Sequence, residues 1–246
     1  MTVGIGCTES LATGIRGNLG RLKSKIQLVS YGDSDRLLND LGDTITAGVR
    51  GTLDSSSTMK GIRSSFGLND VKRAAILEDS RGRPFLLAPV GIDEGRDYDS
   101  RLGLARAVIS YFSGMKWELS VGILSKGRIE DSERGAEIKT SIKDGERMAT
   151  ELMKDVHFVK HYSILIEDAV KECDMILAPD GVSGNLIFRT LHFLGGCKAY
   201  GAPVVNLQRA VFVDTSRAKV DFTDSVLLAA GLDVARRKAM VRSVGP

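Results

Sequence analysis

Short, almost wholly apolar runs alternate with longer stretches of helical periodicity along most of this chain. That alternation limits the fold more than any other feature. Strands buried on both faces of a parallel sheet read as near-continuous hydrophobic runs, and each needs a crossover helix before the next. The expected strands are Ile26–Val29, Thr44–Ala47, Ala74–Leu77, Phe85–Ala88, Leu119–Leu124, Met175–Ala178, Pro203–Val205 and Val211–Val213. Helices are expected over Ser10–Leu22, Arg101–Phe112, Arg134–Asp155, Ser163–Glu172, Asn185–Leu194 and Phe222–Ala230. In the second of these, Leu102, Ala105, Val108, Ile109 and Phe112 fall on one helical face. The least regular stretches are Gly51–Gly67, rich in Ser, Thr and Gly, and Gly91–Asp99, which reads as an acidic connector and a lobe boundary.

The chain has 246 residues, 43% hydrophobic and 26% charged, which is enough for a sizeable core in one large domain or two small ones. A formal net charge of +3 is too mild for a nucleic-acid protein, which needs a dense basic stripe. The basic cluster Arg236, Arg237, Lys238 and Arg242 reads as a solvated helix end favoured by the helix dipole. Three cysteines, Cys7, Cys173 and Cys197, form no CxxC pair, which favours a reducing compartment and hence the cytoplasm. No apolar run reaches the length of a membrane span, and the first residues lack the features of a signal peptide.

The segment richest in chemistry is Met175-Ile-Leu-Ala-Pro-Asp-Gly-Val-Ser-Gly-Asn-Leu-Ile-Phe-Arg189. An apolar strand runs through a glycine-containing turn into a helix. Helix N-termini carry unpaired N–H groups and positive dipole ends, so Asp180, Ser183, Gly184 and Asn185 mark a candidate anion site. The structural alternative is an ordinary strand-to-helix turn with Asp180 or Ser183 as the cap. His157 and His161 have a spacing that holds zinc on a helix, but nothing between them supplies a further ligand, so both, with His192, read as structural or surface residues. No metal site is expected. Gly14-Ile-Arg-Gly17-Asn-Leu-Gly20 is a poor match to an S-adenosylmethionine loop because it lies in a helical pattern. Asp155-Val156-His157 begins a cobalt-ligand pattern, but Lys160 stands where glycine is required.

Pro179-Asp180-x-x-Ser183-Gly184-Asn185 resembles the Pro-Asp-x-x-Ser/Thr-Gly-Asn signature of the phosphate acetyl/butyryltransferase superfamily. The likeness continues through Phe188-Arg189, Leu194-Gly195-Gly196, Gly201-Ala202-Pro203, Val213-Asp-Thr-Ser-Arg217 and the stretch from Phe222 that carries Asp224. More weakly, Gly48-Val-Arg-Gly51 with Thr58-Met59-Lys60, and Leu124-Ser125-Lys126-Gly127, are similar to its glycine-rich and Leu-Ser-x-Ser-x-Lys-Gly segments. The resemblance implies that Lys60 and Arg217 hold a phosphoryl group, that Ser216 donates to a developing oxyanion, and that Asp224 is general base toward a thiol such as that of coenzyme A. Ser125 and Lys126 join the ligand-binding set. The structural alternatives are a loop cap at Ser216, a first-turn helix charge at Asp224 and a solvent-facing Lys60. The sequence departs from the family at Lys60, which replaces arginine, at Ala218, which replaces glycine, and at Asp224, which lies one residue late.

Across the whole chain, Ala47-Gly-Val-Arg-Gly-Thr-Leu53, Leu87-Ala-Pro-Val-Gly-Ile92 and Ala178–Asn185 are similar to a divergent branch, the methanogen Mtx methyltransferase subunit X or methanogenesis marker protein 4 family. The resemblance implies an α/β, isocitrate/isopropylmalate-dehydrogenase-like fold of two Rossmann-like lobes with a cleft between them. The lobes would be residues 1–92 with 212–246, and 93–211. It further implies a transferase with a phosphate-bearing or acyl/CoA-type ligand, coenzyme A or an acyl phosphate being the candidates, and a homodimer. The other readings are a non-catalytic accessory or ligand-binding subunit, and a methyl-transfer component whose methyl carrier comes from partner subunits. Neither nucleic acid nor membrane is an expected partner.

Overall fold

The computed structural model describes residues 1–216 and 218–243. In chain order the elements are β1 Thr2–Gly6, α1 Glu9–Asn18, β2 Gln27–Tyr31, α2 Ser34–Asp40, β3 Ala47–Val49, α3 Ser55–Phe66, β4 Ala75–Glu78 and β5 Pro84–Ala88. There follow α4 Tyr98–Ser113, β6 Val121–Leu124, α5 Ala136–Leu152, β7 Val159–Ser163, α6 Ile166–Glu172, β8 Met175–Leu177 and α7 Gly181–Phe193. The chain closes with β9 Lys198–Pro203, β10 Val211–Asp214 and α8 Thr223–Ser243. Among the described residues no helix is long and apolar enough to cross a membrane.

These elements group into two compact units, Met1–Val71 with Tyr200–Pro246, and Lys72–Ala199. The divisions differ from the lobe limits expected at 92/93 and 211/212. Residues 72–92 go with the second unit because β5 runs parallel to β8, with Leu86 opposite Met175 and Ala88 opposite Leu177, while β4 folds back antiparallel on β5. Residues 200–211 go with the first because β9 pairs antiparallel with β10, Ala202 opposite Asp214. The acidic stretch Gly91–Asp99 thus lies inside the second unit, as the loop from β5 to the cap Asp97 and the first two residues of α4.

In the first unit β2, β1, β3 and β10 are parallel neighbours. Leu37 of α2, Ile62 of α3 and the loop residues Ile45 and Val204 pack with Phe212 of β10 into one core. The stretch expected to be irregular at Gly51–Gly67 holds α3. Asp54 caps it through the Ser57 N–H at 2.9 Å, and Gly67 ends it in the left-handed conformation at φ 63°. In the second unit β5, β8, β6 and β7 are parallel neighbours in that order. Leu77, Phe85, Leu87, Leu124 and Ile176 form its core. Burying a side chain of this kind contributes about 1.5–3 kcal/mol, so apolar burial dominates each unit's stability.

Two buried arginines tie loops to strands. Arg50, after β3, pairs with Asp214 at the end of β10 and donates to Leu53 O at 2.6 Å; its side chain is 4% exposed and that of Asp214 is 12% exposed. Arg73 donates to Glu94 at 2.6 Å, and Glu94 also accepts from the Gly91 N–H at 3.1 Å. Removing one partner of such a pair leaves a charge in low dielectric. Asp214→Asn is therefore expected to lower unfolding stability by about 3 kcal/mol, read from the urea midpoint at unchanged slope.

Candidate functional site

Ligands of parallel α/β sheets bind outside the carboxyl ends of the strands. In the second unit, β6 ends into Ser125-Lys126-Gly127 and β8 ends into Ala178-Pro179-Asp180 before α7. Asp180 takes the cap position, its carboxylate accepting from the Ser183 N–H at 2.7 Å. The Gly181 N–H donates to Glu94 O at 3.1 Å, and the Gly184 N–H to Asp180 O at 2.9 Å. The cap that the sequence allowed at Asp180 is present. The first turn of α7 gives these N–H groups to acceptors of the chain itself.

The rest of the signature has local reasons as well. A Cβ at Gly181 would lie 1.9 Å from Gly91 O, and one at Gly184 would lie 1.9 Å from Pro89 O, so no larger residue fits without moving the backbone. Asn185 Nδ2 donates to Val90 O at 2.9 Å. Pro179 to Asn185 therefore fastens α7 to the loop after β5. Ser183 is half-buried.

Lys126 is where the two strand-end loops meet. Its Nζ lies 3.0 Å from Asp180 Oδ2 and also pairs with Glu137 on α5. Glu137 and Asp180 push the ammonium's pKa up, Glu137 the more strongly. Burial works to raise the Asp180 pKa, but the Ser183 N–H and Lys126 hold it below the ordinary carboxylate range. Ser125 is buried, and its Oγ donates to Gly127 O at 2.9 Å. With that proton committed, Ser125 accepts from His161 Nε2, also at 2.9 Å. The serine shapes the turn that carries Lys126. His161 lies on β7 rather than on a helix, so its spacing from His157 is not the zinc-binding spacing of one helical face.

Beneath this edge lies a residue whose role the sequence reading missed. Arg101, in the first turn of α4, is 3% exposed, and its Nη2 donates to Leu124 O at 2.7 Å and Leu177 O at 3.4 Å. Those carbonyls belong to the last residues of β6 and β8, so one guanidinium braces both loops. Burial pulls its pKa down to about 10. The signal was available in the helical pattern: Arg101 falls on the same face as Leu102, Ala105 and Val108, where a cation does not belong without a reason.

In the first unit, Ser216 follows β10, is half-buried, and accepts from the Ala218 N–H at 3.3 Å, so its hydroxyl supports a turn. Arg217 lies outside the described residues. Asp224 is exposed in the first turn of α8, while Asp221 accepts from Thr223 N and Oγ1 at 2.9 and 2.6 Å. Lys219, which the sequence reading also passed over, is half-buried with its Nζ 3.1 Å from Ser225 Oγ. Burial lowers its pKa, and Asp224 and then Asp221 oppose that. Lys60 is exposed on α3. Among the described residues no hydrogen bond or ion pair joins Lys60, Ser216 and Asp224 to one another, whereas Lys126 and Asp180 are in direct contact. A cavity of about 410 Å³ at the end of β2, lined by residues including Tyr31, Arg36 and Asp40, contains none of the expected site residues.

His161 gives this edge a pH signature. Burial lowers its pKa below 6.5, Glu146 opposes that shift and Arg101 adds to it. A histidine depressed in the folded state contributes stability that is complete above 6.5 and is lost as the pH falls from there through the folded value. Between pH 7 and 5, His161→Gln is therefore expected to lose less stability than the wild type, measured by urea unfolding at each pH.

No protein-family model matches the chain. It is 37% identical over 230 residues to the Methanosarcina mazei protein named "Putative methyltransferase mtx subunit X", covering 93% of this chain and 82% of that one. It is 38% identical over 242 residues to the protein of the same name from Methanosarcina acetivorans, covering 97% and 86%. Among solved structures it resembles a branched-chain phosphotransacylase from Enterococcus faecalis, with TM-score 0.68, 14% identity, and 96% and 99% of the two chains covered. It also resembles a phosphotransacetylase from Streptococcus pyogenes, with TM-score 0.58, 13% identity and coverage of 98% and 94%. At such identities the structural likeness establishes the α/β, isocitrate/isopropylmalate-dehydrogenase-like fold with its Rossmann-like units, and nothing about activity. The sequence likeness reaches further: over more than nine-tenths of its length, the chain belongs to the mtx subunit X family.

Proposed function

We propose that the chain is a transferase subunit that takes up a phosphate-bearing or acyl/CoA-type ligand at its strand-end loops. The observation that carries this reading is the second unit's edge, where Lys126 and Asp180 join the loops after β6 and β8 above the buried Arg101. Arginine and lysine are the side chains suited to phosphate, and the mtx subunit X relatives carry a methyltransferase name. In an acyl-transfer step, Asp224 takes the proton of a thiol and the thiolate attacks the carbonyl carbon of an acyl phosphate. Ser216 donates to the oxyanion, and phosphate leaves as the thioester forms. Arg217 and Lys60 supply positive charge for the phosphoryl group.

A second reading is a non-catalytic accessory or ligand-binding subunit of a methyl-transfer system in methanogenesis. It is favoured by the committed N–H groups at the start of α7, which leave that turn fewer free donors for a reacting anion. Homodimerisation through the second unit, and partner methyltransferase subunits, belong to the same proposal. The exposed apolar side chains of α7, Val182, Leu186 and Phe193, support such a contact. The expected setting is the cytoplasm.

The test pairs ligand binding with turnover. Coenzyme A at a hundredfold its dissociation constant adds about 2.7 kcal/mol and raises the thermal midpoint by about 5–10 °C. The wild type is expected to show this shift and to form acetyl phosphate from acetyl-CoA and phosphate. Ser216→Ala and Asp224→Asn are each expected to reduce turnover by about 10²-fold or more. Binding without turnover selects the accessory reading. A shift with S-adenosylmethionine alone contradicts the acyl-type ligand.

A further inference from the structure

Two buried polar atoms of the second unit have no hydrogen-bond partner among the described residues and lie one helical turn apart. They are Tyr98 Oη and Arg101 Nε, both on the first turn of α4. Residues three apart on a helix share a face, and Tyr98 lies near enough for its field to act on the Arg101 guanidinium. Buried polar atoms are nearly always bonded, and each exception calls for a missing partner.

The chemistry of that partner follows from the donors. An arginine Nε–H only donates, so the group facing it must accept. The Arg101 guanidinium carries a buried positive charge and takes part in no ion pair among the described residues. Asp144 and Asp180 act on it only through their fields. A buried cation without a direct ion-pair partner favours an anionic acceptor over a neutral one. The Arg147 guanidinium lies 4.1 Å from the centre of the Tyr98 ring, and Arg147 is an exposed residue of α5. It places a second cation beside the tyrosine.

We infer that Tyr98 and Arg101 form an oxyanion subsite, which receives a phosphate or carboxylate oxygen of a ligand held at the ends of β6 and β8. The inference rests on the strand-end reading above and adds to it the side chains that recognise the ligand's charged group. Arg101 acts twice: Nη2 holds the loop carbonyls of Leu124 and Leu177, and Nε is left for the ligand. The Tyr98 hydroxyl gives the second hydrogen bond.

Inorganic phosphate alone is the probe, titrated calorimetrically into wild type, Tyr98→Phe and Arg101→Lys. Tyr98→Phe keeps the ring and removes only the unbonded hydroxyl, so its ligand-free thermal midpoint is expected within about 2 °C of wild type. Its phosphate affinity is expected to fall about tenfold, as is that of Arg101→Lys, which keeps charge but loses Nε. Unchanged phosphate affinity in Tyr98→Phe with a lowered midpoint overturns the inference, because the hydroxyl then bonds a structural water only. Absence of phosphate binding by the wild type overturns it too. Phosphate binding that depends on both residues, in a protein that ignores coenzyme A and acetyl phosphate, sustains the subsite and sinks the acyl-transfer reading. Coenzyme A binding indifferent to both variants does the reverse.

Discussion

The need to satisfy buried backbone groups where parallel strands end governs the second unit. At the end of β8, Asp180 caps α7, Gly181 and Gly184 let that helix press against the loop after β5, and Asn185 ties it to Val90 O. At the end of β6, Ser125 closes its own turn and His161 holds it there. Arg101 supplies donors to the last carbonyls of both strands. This frame presents Lys126 and Asp180 side by side. Recognition at this edge then falls to side chains, since the amides of Gly181, Ser183 and Gly184 are committed.

Much of this was legible in the chain. The runs at Ala74–Leu77, Phe85–Ala88 and Met175–Ala178 became β4, β5 and β8 within a residue or two, because central strands buried on both faces carry an unbroken apolar signal. The strands that escaped notice lack it. β7, Val-Lys-His-Tyr-Ser, is an edge strand in which only Val159 and Tyr162 are buried, and β1 has glycine at two of its five positions. β9 was displaced to Pro203–Val205, because its antiparallel, polar Lys-Ala-Tyr-Gly carries no apolar run. α2 and α3 begin after Asp33 and Asp54, caps that were on the page; the serines of α3 have modest helix propensity and hid it behind a loop-like composition.

The site was less legible than the fold. The Pro-Asp-x-x-Ser-Gly-Asn segment stood out, but the same pattern serves capping and close packing as well as ligand contact, and only coordinates show which groups are already bonded. The ion pair between Lys126 and Asp180 spans 54 positions of sequence and has no local signature. Arg101 was taken as an ordinary helix residue and Tyr98 as part of the acidic connector, although a charge on the apolar face of α4 was the cue. Lys219 sits in a loop whose pattern departs from the family, so nothing pointed to it.

The most direct measurement of the account is the residue-resolved NMR response of the isotope-labelled protein to coenzyme A. Side-chain recognition at the second unit's edge predicts shifts centred on Tyr98, Arg101, Ser125 and Lys126, with the amides of Val182 to Gly184 nearly still. Shifts centred on those amides, with Tyr98 and Lys126 unmoved, would contradict it.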